Sequence, residues 1–533
     1  MYLVIQKKIF LIFFISFLFA IDNNSEDARK GPYNKLVIIN AMIIPGHGGP
    51  PYGPADIIIK NDRIDQIISY NGKTGRDPKN KFPKANRVID ATGMYIMPGL
   101  IDLHAHIRGP ELPLNYVYNL KLAHGVTTMV NGSGRGWENA LKQQKLSDQN
   151  KINAPRMFPI RDWGPSRSRD PGHLPKASEI KKWHDTNPQN IMKLATSMIK
   201  EGAHVIRIGS LAWNEELFGA VAKAIYKAGG ITTVHLPPSD LSIVNAVKAA
   251  ELGVTMLEHH YGYPESALGG RVHPFPPDYN YMNEADRFRH AGSIWQIASD
   301  DILFGEVVDR LVASGVSMLP TMSTYEANRD LNRAMSSPWH KNFTHAKLID
   351  WYFPNPKYHG TYHWNWTSKD EQIWSEMFQK WQKLIYEFHK RGGHLSYAVD
   401  DPYIWNTSGI GNVRELQLMQ EAGLHPLEVI RSATRNSAIT LRKPELGLIQ
   451  TGFIADLAII DGNPLKNLHY LYAFGGVDFS EDIIKNRGGV RWTIKSGIVF
   501  DNKKLISEVI EEVKKSKENW INPIDELFLP VQN

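Results

Sequence analysis

Hydrophobic and polar positions follow two rhythms along this chain, and the change between them divides it into three parts. From Lys35 to about Ile96, β-branched runs such as Lys35–Asn40 and Asp56–Ile68 are broken by Gly, Pro and Asn-Asp, which predicts strands. Asn61-Asp62, between two alternating runs, predicts a hairpin turn. A matching β-rich stretch returns at Ala455–Asp461 and Val490–Phe500. Neither stretch is large enough for a good core alone. Paired, with the middle of the chain inserted between them, they predict one small β-sandwich domain over 35–96 and 443–505.

The middle, 97–442, reads differently. Short apolar runs alternate with helical stretches, the pattern of parallel strands joined by crossover helices. Candidate strands cover 97–107, 125–131, 156–162, 204–209, 231–236, 254–260, 316–323 and 394–400. Eight strand–helix units predict an α/β fold, a closed (β/α)8 TIM barrel, whose chemistry sits at the C-terminal ends of the strands. Two insertions, 263–300 and 325–368, leave that same face and are rich in aromatics, as a substrate-selecting lid would be. Ser368-x-x-Glu371 fits a capping box, and Trp374, Phe378, Trp381, Ile385 and Phe388 then recur at helical spacing as a core stripe. A charged helix is expected over Glu508–Trp520, in the tail at 506–533.

Composition narrows the chemistry. At 533 residues the chain can bury a sizeable core, and its net charge of +6 is a weak basic bias without Lys/Arg blocks. Nucleic acid is therefore excluded as the expected partner; a small molecule is expected, and a homo-oligomer is compatible with the sequence. The absence of cysteine removes disulfides, a thiolate nucleophile and Cys-type zinc sites, which leaves His and carboxylates as metal ligands.

The first twenty residues read as targeting. Lys7 and Lys8 precede an apolar run, Ile9 to Ala20, followed by a polar linker over 21–34, the layout of a secretory signal. The run is too short to span a bilayer comfortably. Leu18 stands three residues before a cut after Ala20, where a small residue is usual, so an uncleaved membrane anchor stays the alternative. Export to the periplasm or beyond is expected.

The strand ends carry the candidate chemistry. In Leu100-Ile101-Asp102-Leu103-His104-Ala105-His106, alternate residues share a face, so both imidazoles point the same way about 7 Å apart along the strand. Two such imidazoles suit a transition metal. The fifth candidate strand ends in His235, the sixth in His259-His260 and the eighth in Asp400-Asp401-Pro402. His260 has the opposite parity to His259 and reads as packing. Asp401 precedes proline, is held extended and reads as a turn residue, with Asp400 the favoured acid and Asp401 the alternative.

Met97-Pro98-Gly99-Leu100-Ile101-Asp102-Leu103-His104-Ala105-His106 as a whole closely resembles the opening metal motif of the amidohydrolase superfamily. Glu258-His259 resembles that family's Glu-His motif, and Gly452-Phe453-Ile454-Ala455-Asp456-Leu457 its closing Gly-x-x-Ala-Asp-Leu motif. Val413–Leu441 resembles the helices after the metal aspartate in the prolidase-like and imidazolonepropionase-like branches, and Gly172-His173 a Gly-His loop there. The resemblance implies a metal-dependent hydrolase that cleaves a linear or cyclic amide C–N bond with a metal-activated water. It implies a divalent ion, zinc by default, on His104, His106, His235 and Asp400, with His259 added if a second ion binds. Asp400 would serve as general base and then acid, while His259 and Arg207 would steady the oxyanion; His173 would touch substrate.

Two-metal members carry a carboxylated lysine near the end of the fourth strand, where this chain has Arg207. A guanidinium cannot form that carbamate, so one ion is expected. Arg207 would then either bind a substrate carboxylate or face the helices and pair with an acid. The alternatives are a mononuclear deaminase of a nitrogen heterocycle, a lactonase, and a catalytically silent binding protein on the same fold.

Overall fold

The computed structural model describes residues 28–70, 84–107, 111–132, 135–164, 181, 183–208, 214–236, 244–280, 283–353, 361–478 and 485–527. The signal-like segment 1–20 and His173 lie outside the described residues. Eight strands, Leu100–His106, Val126–Gly132, Arg156–Trp163, Val205–Ile208, Ile231–Val234, Met256–Glu258, Ser317–Leu319 and His394–Leu395, pair in parallel in chain order. Their places match the apolar runs.

The last strand is shorter than its run. After Leu395 the chain leaves strand geometry, and Asp400 sits at φ +56°. It nevertheless stays beside the first strand: Leu103 N donates to Tyr397 O (3.0 Å), Asp400 N to His104 O (2.7 Å) and His106 N to Asp401 O (2.9 Å). These bonds close the sheet on itself.

Strand alternation sorts the side chains. Ile101, Leu103, Val130, Phe158, Ile160, Val205, Ile231, Met256 and Leu319 form one interior cluster. Their neighbours Ile206, Ile208, Val234 and Leu257 pack outward under the helices.

Both ends of the chain build one nine-stranded sheet. Leu457–Asp461 lies antiparallel between Tyr95–Pro98 and Gly489–Lys495, and the strands Lys35–Ile43, Tyr52–Lys60 and Arg63–Ser69 continue beyond it. Ile38, Ile43, Ile57, Ile59, Leu457, Ile459 and Ile494 share its core, so neither half is complete without the other. The Asn61-Asp62 turn joins two of these strands, with Asn61 at φ +55°. Gly99 explains the Pro-Gly step before the first barrel strand: a Cβ there would stand 2.2 Å from Thr127 Oγ1. Arg156, at the start of the third barrel strand, is ion-paired with Asp456 of the closing motif. The sheet therefore docks at the N-terminal end of the barrel, away from the strand ends that carry the histidines.

The long helix Ser368–Lys390 buries Trp374, Phe378, Trp381, Ile385 and Phe388, the expected stripe. Its cap is displaced by one residue. Asp370 Oδ2 accepts from Thr367 N (2.7 Å) and Thr367 Oγ1 (2.9 Å), because Thr367 is the extended residue and Ser368 is already helical. The tail helix spans Asn502–Ser516, six residues earlier than expected, since Asp501 caps it directly off the last strand. Among the described residues no helix is long and apolar enough to cross a membrane.

Glu415 gives the fold a pH dependence. It is fully buried on Ile410–Glu421, accepts from Ser323 N (2.6 Å), and burial pushes its carboxyl up to about 8. Between about 4.5 and 8 the folded chain therefore holds a proton that the unfolded chain has released. This contribution is complete below pH 4.5 and is lost as pH rises to about 8, with a slope of up to about 1.4 kcal/mol per pH unit. Glu415→Gln is expected to match the wild type in thermal unfolding at pH 4.5 and to melt several degrees higher at pH 8.5. Parallel melting curves at both pH values would remove Glu415 as the source.

Candidate metal centre

His104 and His106 leave the first barrel strand on its inner face, while Ala105 between them packs outward with Tyr118 and Met129. A register shift between Asp102 and Ala105 re-aims this part of the strand relative to its neighbour. The two Nε2 atoms stand 3.1 Å apart, and both face Asp400 Oδ1, at 3.1 Å from His104 and 2.8 Å from His106. His259 Nε2 lies 3.7 Å from Asp400 Oδ2, and the His235 ring is 5.0 Å from that of His259. The five side chains that the strand ends nominate are thus brought together.

His259, Thr321 and Asp400 all adopt left-handed backbone, at φ +63°, +55° and +56°. Non-glycine residues seldom do so, and surrounding bonds hold them there. His259 Nδ1 is 2.8 Å from Thr321 Oγ1, and Thr324 Oγ1 is 2.9 Å from Asp400 O.

Glu258 is a site residue that the strand-end histidines do not announce. It shares the inward face with Met256 and is almost wholly buried. Its Oε1 accepts from Thr233 Oγ1 (2.5 Å) and lies 3.1 Å from His104 Nδ1. A carboxylate on the far nitrogen of an imidazole fixes its tautomer and orientation. The signal was present as the glutamate of the Glu-His pair, two residues after an inward Met.

The electrostatics favour a bound cation. Burial alone would lower His104, but Glu258 and Asp400 on either side outweigh it and push the imidazole up to about 10. Burial opposes ionisation of Glu258 and Asp400 too, yet the neighbouring histidines hold both below the usual carboxylate range. His235 is driven well below its ordinary value by burial and by His259, so its lone pairs stay free. Two groups have ligand atoms all within 4.8 Å of one another: His104, His259 and Asp400, and His235, Glu258 and His259. Glu258 Oε2 is buried without a hydrogen-bond partner among the described residues. Converging imidazoles, two carboxylates and an orphaned carboxylate oxygen fit a divalent transition ion.

Arg207 is turned inward rather than toward the helices. It shares the inward face with Val205, in register with Asp162 on the neighbouring strand, and its Nε donates to Asp162 Oδ1 (2.7 Å). It pairs with an acid, but inside the barrel mouth rather than under the helices. Glu258 and Asp400 lie near enough to strengthen its charge further, and its side chain keeps 26% exposure.

Asp401 is held elsewhere. Buried Lys121 donates to Asp401 Oδ1 (2.6 Å), Asp102 Oδ2 (2.8 Å) and Asn412 Oδ1 (2.9 Å). Asp102 Oδ1 in turn accepts from His104 N and Val399 N, both at 3.2 Å. The network braces the backbone beneath His104 and Asp400 from the outer side of the barrel. His260, also turned outward, packs against Tyr325 (4.7 Å), Trp381 (5.3 Å) and Trp374 (5.4 Å).

Known proteins resemble this chain in part of its sequence and in its fold. The amidohydrolase family model matches residues 382–499. That match covers the end of the barrel and the returning strands of the terminal sheet, less than a quarter of the chain. Curated relatives align over short stretches. An adenine deaminase from Listeria monocytogenes is 37% identical over 84 residues, 14% of this chain and 14% of its own length. A dihydroorotase from Caldanaerobacter subterraneus is 36% identical over 76 residues, 14% of this chain and 15% of its own length. The alignment thus spans about a seventh of each of these relatives. Solved structures align far more widely at low identity. A Xaa-Pro dipeptidase with bound methionine has a TM-score of 0.57 at 17% identity, over 88% of this chain and all of its own. A bottromycin amidohydrolase reaches 0.59 at 14% identity over 93% of each chain, and the Aspergillus niger ochratoxinase 0.55 at 16% identity over 88% and 96%. These likenesses concern the fold.

Proposed function

We propose that this chain is a metal-dependent hydrolase that cleaves the amide C–N bond of a small substrate in the prolidase-like manner. One observation carries the reading: the Nε2 atoms of His104 and His106 converge on one oxygen of Asp400, with His259 against the other. His104, His106, His235 and Asp400 would hold one divalent ion, zinc by default. When bound, such an ion supplies a water of lowered pKa and polarises a carbonyl.

The chain's own groups do the rest. Asp400 accepts the proton of the attacking water and delivers it to the leaving nitrogen, as base and then acid. Glu258 keeps the His104 ring oriented through Nδ1. His259 steadies the substrate oxygen. Arg207, anchored through Nε alone, offers its outer nitrogens to a substrate carboxylate. Its fixed charge beside Glu258 also supports one ion over two.

Metal analysis of the purified protein is expected to give about one equivalent, and release assays an acid and an amine from an N-acyl amino acid panel. Two tightly bound equivalents would overturn the role given to Arg207. Ammonia without acid would instead establish a deaminase, the reading that the adenine deaminase alignment favours. Arg207→Gln is expected to raise KM about 10- to 100-fold for substrates with a carboxylate, as a charged hydrogen bond is worth, and to leave their carboxamide counterparts unchanged. An equal change for both would exclude carboxylate binding by Arg207. Export rests on the N-terminal segment, and N-terminal sequencing of protein from the native host tests it.

A further inference from the structure

The geometry points to Tyr325 as a catalytic residue, a fixed hydroxyl that donates a hydrogen bond to the substrate carbonyl oxygen as negative charge develops there. This inference rests on the amide-hydrolase reading above.

Tyr325 ends the short helix Met322–Tyr325, which follows the seventh barrel strand, so it stands on the catalytic face. Its ring meets the His259 ring edge-on at 5.7 Å and is 3% exposed. The ring has no freedom to leave. Trp374 lies parallel to it at 6.0 Å, Trp381 meets it edge-on at 6.0 Å and His260 edge-on at 4.7 Å.

The hydroxyl is treated differently from the ring. Three buried tyrosines spend theirs on the scaffold: Tyr116 donates to Phe343 O (2.6 Å), Tyr352 to Asn406 O (2.8 Å) and Tyr397 to Asn412 O (2.6 Å). That of Tyr325 makes no hydrogen bond among the described residues, and its oxygen is not sealed off as the Tyr263 hydroxyl is. A ring clamped on three sides cannot turn its hydroxyl away toward a partner in the scaffold. A preorganised donor beside His259 is what a developing oxyanion requires. The proton stays on the phenol throughout, and the bond forms fully only with the tetrahedral centre. The aromatic stripe of Ser368–Lys390 and the outward His260 thereby acquire a purpose, as the vice that holds this ring.

Tyr325→Phe tests this without disturbing the packing, since only an unpartnered oxygen is removed. Two readouts are taken on metal-loaded protein: turnover of the best N-acyl amino acid in the panel, and calorimetric binding of methylphosphonate, a tetrahedral oxyanion. The variant is expected to keep its metal content and melting temperature, lose about 10²- to 10³-fold in kcat with KM nearly unchanged, and bind methylphosphonate at least tenfold more weakly. A Phe variant that equals the wild type in kcat, or in methylphosphonate affinity, overturns the assignment, because a purely structural ring tolerates the change. Failure of the wild type to bind methylphosphonate overturns it as well. A panel in which no amide is cleaved, with methylphosphonate still held through Tyr325, sinks the amide reading and leaves this donor standing.

Discussion

Asp400→Asn is expected to reduce turnover at least about a thousandfold while the protein stays folded. The side chain keeps its shape and an acceptor oxygen at the place where His104 and His106 converge, 3.1 and 2.8 Å away. It loses the charge that helps to hold a cation and the basicity that takes a proton. Neighbouring Asp401 is poorly placed to substitute, because Lys121 occupies its Oδ1 at 2.6 Å. Steady-state kinetics, with metal content measured on the same sample, checks this. Unimpaired turnover would give the proton-transfer role to another group.

The second large effect concerns stability. Lys121→Met is expected to destabilise the fold by about 3–5 kcal/mol, as removal of one partner from a buried ion pair does. Lys121 and the acids it serves, Asp102 and Asp401, are at most 1% exposed, so neither carboxylate has water to turn to. Burial and the charge of Asp102 already raise Asp401 despite the lysine's opposing pull. Without the lysine's pull Asp401 is pushed further upward, so the folded variant binds more protons than the unfolded one. Its deficit should therefore be largest at neutral pH and shrink as pH falls toward the ordinary carboxylate range. Urea unfolding at pH 7 and pH 5 reads this directly. A deficit that is the same at both values would mean that lost packing, rather than stranded charge, is responsible.

Much of this site is legible in the chain because candidate metal ligands at strand ends obey a period of two. His104 and His106 share parity, and the other nominated groups follow apolar runs that could only be buried strands. Glu258 escapes such reading because it forms the end of a three-residue strand, where burial and solvent exposure look alike in sequence. Lys121 escapes for a different reason. In Leu114–Ala123 it stands among apolar residues at a spacing that does not tell whether a charge snorkels outward or meets an acid 280 residues away. The displaced cap at Thr367 has a third cause. Thr367-x-x-Asp370 and Ser368-x-x-Glu371 satisfy the same spacing, and only the extended backbone at Thr367 selects between them. The acid that pairs with Arg207 is set by register: Asp162 lies directly across on the adjacent strand, a pairing no single-strand pattern reveals.

The shared sheet has a consequence for biosynthesis. Tyr95–Pro98 leaves the ribosome more than three hundred residues before Leu457–Asp461, the strand that covers its open edge. At about 5–20 residues per second the nascent sheet waits roughly 20–70 s with that edge bare, an invitation to chaperones or to a second copy. Once the late strand arrives, early and late segments are stitched together, and peeling from either terminus must first unzip the other.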